Sequence, residues 1–281
     1  MKSLWWHIKL LRPLNLLTGA FSMVVSAGIL NRMYDVQTLI LTICVVVCYN
    51  AAANAYNDVE DYKTDTVNRP NRPLVKGYVK IKTATVMSVI FFAAGSACAL
   101  WLPIMAQLIA IGLSMPIMII YSKRLKRTPL FGNAAVALIL GLAFIFAGAA
   151  FNNVEPMVIP ALLAFGLTFV RELIKDIADI KGDSKAGLNT FPVKYGMQKS
   201  GYIAIIAAFI IGLGGPVPFV AGYYGLPYLI ILVLGVEIPL TIIVFSFLKS
   251  PEIDQVKRFS DILKFSTIAG LMAFFIDNYV N

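Results

Sequence analysis

This chain predicts an all-α, multi-pass membrane protein, and three observations carry the expectation. Hydrophobic residues make up 59% of its 281 residues and charged residues only 14%, with a mean hydropathy of +0.78. The apolar residues come in runs close to the ~20 residues a helix needs to cross ~30 Å of hydrocarbon. The runs are continuously apolar and do not alternate as strands of a lipid-facing barrel must.

Nine runs qualify as spans: Leu14–Leu30, Val36–Tyr56, Thr83–Leu102, Ile104–Tyr121, Gly132–Phe151, Met157–Leu173, Gly201–Ala221, Leu226–Leu248 and Ile262–Val280. Lysine and arginine test that count, because cytoplasmic loops collect them. With an inside amino terminus, the tail holds Lys2, Lys9 and Arg12, and the loop after the second run holds Lys63, Arg69, Arg72, Lys76, Lys80 and Lys82. Lys123, Arg124, Lys126 and Arg127 follow the fourth run, and Arg171 to Lys199 and Lys249 to Lys264 supply the later loops. Only Arg32 falls on the other side. The expectation is one domain, 1–281, in the cell membrane, amino terminus inside and carboxyl terminus outside, with cytoplasmic cap loops at 57–82 and 174–199.

The net charge of +9 is then mostly orientation. No aromatic-interleaved basic patch suggests a nucleic acid, and no protein partner is indicated. The first run has no small-residue cleavage site and reads as a retained helix. Cys44, Cys48 and Cys98 lie inside runs, with neither the even number a disulfide framework needs nor a histidine pair for a metal. His7, the single histidine, reads as an interfacial residue.

Acid is scarce and concentrated. Of 15 acidic residues, eight lie in two places: Asp58, Glu60, Asp61 and Asp65, then Glu172, Asp176, Asp179 and Asp183. DVEDYKTD and DIADIKGD share the pattern D-x-x-D-x-K-x-D. On a helix these aspartates fall at about 0°, 300° and 340°, one stripe of mutually repelling charge. At mid-membrane each would cost roughly 3 kcal/mol, so they are expected to line a wet chamber at the inner surface. Hard oxygen donors without histidine or cysteine suit Mg²⁺, which is usually held by carboxylates together with substrate phosphates. Two such clusters facing one another would hold two or more ions around a diphosphate.

Basic residues flank both strings. The prolines of NRPNRPLVKG stiffen an extended segment presenting Arg69 and Arg72, and arginine suits bidentate phosphate contact. Tyr121 and Lys123 sit at a span end on the same side, and Lys123 is read as a further phosphate contact. Arg124, Lys126 and Arg127 are read as orientation charges. Phe91, Phe92, Phe144 and Phe146 are read as packing or lipid-facing.

Asn57-Asp58-x-x-Asp61-x-x-x-Asp65, Tyr121-x-Lys123 and Asp176-x-x-Asp179-x-x-x-Asp183 resemble, in order, the signatures of the UbiA superfamily of intramembrane prenyltransferases. The likeness runs from Arg12-Pro13 through the ninth run. It implies a helical bundle around a central cavity, capped by the aspartate-bearing loops and open sideways to lipid. It implies transfer of an isoprenyl group from its diphosphate, using Mg²⁺. By position, Asn57, Asp61, Asp65, Asp176, Asp179 and Asp183 would bind the metal–diphosphate, with Asp61, Asp65, Asp179 and Asp183 catalytic. Arg69, Arg72, Lys123, Arg12 and Lys76 would contact substrate, and Tyr121 would lie near the reacting carbon, with Tyr49 and Tyr56 at its membrane level. Asp58 would serve the loop.

NRPNRP and RELIKDIADIKGD are similar to the branch that adds a second geranylgeranyl chain to geranylgeranylglyceryl phosphate, a lipid-like phosphate acceptor. Val75-Lys76 and Val59-Glu60 depart from the usual proline-serine and aromatic pair. An aromatic or quinone-precursor acceptor is therefore the alternative. A CDP-alcohol transferase would need D-G-x-x-A-R, which is absent, and a cation carrier would place charge near the midplane, where only Glu237 stands.

Overall fold

A computed structural model describes residues 2–280. Among them there is no strand. Helices α1 (Lys2–Leu11), α2 (Pro13–Ile29), α3 (Val36–Glu60), α4 (Tyr62–Asn68) and α5 (Ile81–Ala99) form the first half. They are followed by α6 (Ile104–Lys123) and α7 (Phe131–Ala150), α8 (Val158–Lys185) and α9 (Phe191–Tyr195), then α10 (Met197–Val220), α11 (Leu226–Leu248) and α12 (Ile253–Val280). Eight helices among the described residues are long and apolar enough to cross a membrane, nine if the bent pair α1–α2 is counted as one span.

Local chemistry explains the breaks. Pro13 starts α2, where a missing N–H costs nothing, and Arg12 before it adopts a left-handed φ of 56°. The chain turns by 51° there, leaving α1 with Leu4, Trp5 and Ile8 exposed and Trp6 stacked on Tyr78 of the following loop at 4.1 Å. Asp35 caps α3 by accepting from the Thr38 N–H. Helices α6 and α11 each carry a π-helical turn, Leu108–Ser114 and Val233–Glu237, just before Pro116 and Pro239. Widened turns of this kind accommodate a residue that lacks its N–H donor.

Helix α3 packs on α2 and α5, α8 lies between α7 and α12, and α12 closes back onto α2 and α11. Small residues permit the approach, as membrane packing favours: Ser88 Oγ donates to the Ala52 carbonyl at 3.0 Å. A Cβ on Gly141 would sit 2.9 Å from the Ala161 carbonyl oxygen, so α7 and α8 meet backbone to backbone there. At 28 residues, α8 is about 42 Å long, which carries its last turns beyond the hydrocarbon. Those turns bear the second aspartate string.

Candidate active site

The two aspartate strings meet at one end of the bundle. Residues of α4 contact α8, and Arg69 Nη2 reaches from the loop after α4 to Asp179 Oδ2 at 3.5 Å. Their shapes differ. The second string runs along unbroken α8, as its spacing predicts. The first is interrupted: Asp61, with φ −88° and ψ 0°, ends α3 and precedes α4, so Asn57 and Asp58 stand on one helix and Asp65 on the next.

Each carboxylate takes the nearest donor. Asp58, buried, accepts from Arg12 Nη2 and Arg72 Nη1, both at 2.6 Å, and the same Arg72 nitrogen reaches Asp65 Oδ2 at 2.6 Å. Asp58 thus ties the α1–α2 bend to the proline-rich loop, the structural part expected of it. Asp176 Oδ2 accepts from Asn133 Nδ2 at 2.8 Å, and Asp183 from the Thr190 hydroxyl at 3.3 Å.

Lys126 requires a correction. Read as an orientation charge, its Nζ instead lies against Asp61 Oδ1, with only 9% of the side chain exposed. The contact is an ion pair without an aligned hydrogen bond. The short turn Leu125–Arg127 carries Lys126 inward, and Gly132 makes room, since a Cβ there would fall 2.9 Å from the Lys126 Cα. Lys123, expected at phosphate, is exposed and stands over the Tyr56 ring at 6.0 Å. Lys76 is exposed and lines neither cavity described below. Arg72 gives its Nη1 to two carboxylates and so organises the rim, and it also lines the basic recess described below.

A cavity of about 380 Å³ runs from this rim into the bundle. Arg12, Asn57 and Tyr121 line its polar mouth, and Tyr49, Phe144 and Phe146 stand on its wall. Both phenylalanines are buried in the core, in keeping with packing, and also border the void; period alone does not reveal which stripe of a buried helix does so. Tyr49 donates to or accepts from Ser96 Oγ at 2.9 Å, while Tyr56 does not line the cavity. A shallower basic recess of about 410 Å³ lies beside it, with Lys9, Arg12, Arg69 and Arg72 around Asp58. Arg12 borders both. Glu237 lies outside both, against Gly212 and Gly215 of α10.

The six expected metal ligands share this rim, but among the described residues no three acidic, histidine or cysteine side chains converge on one point. Lysine, arginine and neutral donors hold them apart. The residues nonetheless suit a hard dication. Asn57 Oδ1 is buried with no hydrogen-bond partner, a lone oxygen donor at the mouth. Burial pushes the Asp65 carboxyl up to about 6, against the pull of Arg72 and with Asp61 and Asp58 adding to the rise. Burial is thus the main cost of keeping this carboxylate charged, and a bound cation would offset it.

Against known proteins, residues 15–268 match the UbiA prenyltransferase family. Digeranylgeranylglyceryl phosphate synthase of Methanopyrus kandleri is 34% identical over 95% of this chain and 97% of its own. A solved structure from work on digeranylgeranylglyceryl phosphate synthase in membranes superposes over the whole of both chains, with TM-score 0.81 and 29% identity. A UbiA homolog from Archaeoglobus fulgidus bound to DMAPP and Mg²⁺ shares the fold at TM-score 0.65 and 19% identity, over 95% of this chain and 98% of its own. Paired aspartate strings over an apolar cavity, on a bundle that this family's model matches almost end to end, have one reading: the chain is an integral membrane protein belonging to the UbiA prenyltransferase family.

Proposed function

We propose that the chain moves a geranylgeranyl group from its diphosphate to the glycerol hydroxyl of geranylgeranylglyceryl phosphate, a step of ether-lipid synthesis that depends on magnesium. The observation carrying this reading is the meeting of two carboxylate strings at one end of the bundle, next to a largely apolar cavity that Asn57 of the first string lines. The name of the Methanopyrus kandleri relative supports the acceptor, and the ligands of the Archaeoglobus fulgidus protein support diphosphate and Mg²⁺.

Asn57, Asp61, Asp65, Asp176, Asp179 and Asp183 would hold two or more magnesium ions with the diphosphate. Bound there, magnesium neutralises charge that collects on the departing diphosphate. The chain's own residues do the rest. Arg69 reaches over the rim toward phosphate oxygens, and Lys126 leaves Asp61 for the same oxygens. Asp58 holds Arg12 and Arg72 in place. Tyr121 presents its ring near the allylic carbon, where an aromatic face stabilises positive charge by roughly 0.5–2 kcal/mol. The apolar wall excludes water, so that the acceptor hydroxyl is the nucleophile at hand. The active end faces the cytoplasm of the cell membrane, with the amino terminus inside.

Purified protein in vesicles, given labelled geranylgeranyl diphosphate and one acceptor at a time, tests the reading by mass spectrometry of the product. Transfer to geranylgeranylglyceryl phosphate, abolished by chelation, is expected. Transfer only to an aromatic acid or quinone precursor overturns the acceptor, and turnover under thorough chelation overturns the role of magnesium.

A further inference from the structure

One wall of the membrane cavity carries more positive charge than its surroundings require. Arg171, Glu172 and Lys175 of α8 and Lys264 of α12 all line it. Glu172 is buried and is held twice, by Lys175 Nζ at 2.7 Å and by Arg171 Nη1 at 3.4 Å. Arg171 Nε is buried and has no hydrogen-bond partner. Among the described residues no carboxylate pairs with Lys264, the ion pairs being made by other residues. Three cations thus share this wall with one carboxylate, alongside apolar residues such as Leu140, Leu167 and Phe274, while the remaining cation, Arg12, stands at the mouth. Unpaired charge against apolar surface is costly, and a dianionic ligand removes the cost.

The donor's diphosphate is provided for at the rim, where Asp179 lies about 12 Å further along α8 than Arg171. A second anion must be meant for the cavity itself. We propose that Arg171 and Lys264 form a phosphomonoester subsite that receives the head group of the acceptor, leaving its glycerol hydroxyl directed toward the rim. This rests on the function proposed above and adds where that substrate's phosphate binds. Two helices supply the subsite, α8 with the orphaned guanidinium nitrogen and α12 with the ammonium. The monoester dianion matches the two positive charges left once Glu172 has neutralised one of the three.

The test compares geranylgeranylglyceryl phosphate with its dephosphorylated counterpart, geranylgeranylglycerol, as acceptors for the full chain in vesicles. Arg171→Gln and Lys264→Gln should each raise KM for the phosphorylated acceptor tenfold or more, about 1.4 kcal/mol per factor of ten. KM for geranylgeranyl diphosphate should stay within twofold, and the preference for the phosphorylated acceptor should shrink. Lys264→Arg should restore most of the loss, with an unchanged thermal transition in both Lys264 variants, whereas Arg171→Gln also removes a partner of buried Glu172 and lowers the transition. Equal losses on both acceptors, or a rise in KM for the diphosphate instead, overturn the subsite while the transferase reading stands. A wild-type protein that prenylates neither glyceryl ether sinks both. Raising the phosphatidylglycerol content of the vesicles separates the sources of the phosphate: an unchanged acceptor KM keeps the assignment to the acceptor, and a rise like that of the variants hands the subsite to bulk lipid.

Discussion

In the amino-terminal aspartate string every carboxylate meets a cation, whereas two of the three in the carboxyl-terminal string meet neutral donors. Asp58 and Asp65 share Arg72, and Asp61 has Lys126. Asp176 and Asp183 accept from Asn133 and Thr190, and Asp179 has only the exposed Arg69 contact at 3.5 Å. The difference follows from the backbone. The first string crosses a helix junction whose loops bring arginines and a lysine into reach, while the second rides one straight helix with its stripe turned to the rim. One string is thus tied into the fold by ion pairs, and the other is held mainly by neutral donors.

The largest expected effect falls where the strings act together. Asp61→Ala and Asp179→Ala should each cut transfer by at least about 10²–10³-fold, the scale of losing one preorganised electrostatic group, with both proteins still folded in detergent. Full activity in either variant would remove that string from the site.

Next comes stability, where the strings should part company. Asp58→Ala leaves two arginines without their shared partner. Breaking such a buried pair costs ~3 kcal/mol or more, seen as a clear drop in the thermal transition. Asp176→Ala loses one hydrogen bond from a neutral amide to a carboxylate, worth about 1.5 kcal/mol. Equal drops in the two variants would break the contrast.

What could be read beforehand divides along the same line. Eight or nine spans, the aspartate strings and their meeting at one end follow from hydropathy and a repeated spacing, and the α8 stripe follows from helical period. Asp61's break from helix has no such signature, because Asp-Tyr-Lys-Thr continues a helix as readily as it ends one. Lys126 was hidden among four loop cations, and the tight fit of Gly132 that turns it inward is a tertiary contact. Arg171 and Lys264 fall at the ends of the runs Met157–Leu173 and Ile262–Val280, where a basic residue reads as an orientation charge rather than as part of a cavity wall. Asn133 carries no charge and sits in a span, so nothing set it apart from packing.

A smaller effect is expected at the bridge between the strings. Arg69 and Asp179 are each nearly half exposed, so Arg69→Gln should change stability by no more than ~1 kcal/mol. Its KM for the diphosphate should nevertheless rise about tenfold, the weight of one charge-assisted hydrogen bond. A stability loss without a change in KM would make Arg69 a clasp rather than a ligand contact.

The finest test concerns Lys126, which stands where a metal ion would have to draw on Asp61. Its burial pulls the ammonium pKa down while Asp61 holds it up, so the lysine is a partner kept at some cost. Lys126→Gln should leave the carboxylates less compensated in chelator and lower the thermal transition there. Magnesium should then recover more stability than it does in wild type, because the ion no longer displaces an ammonium from Asp61. The measured quantity is the gap between the transitions with magnesium and with chelator, which should widen by a few degrees. A parallel Thr190→Ala variant, relieving Asp183 of a neutral donor, should leave that gap nearly unchanged. If the gap widens equally in both, the cationic and neutral partners are interchangeable, and the distinction between the strings disappears.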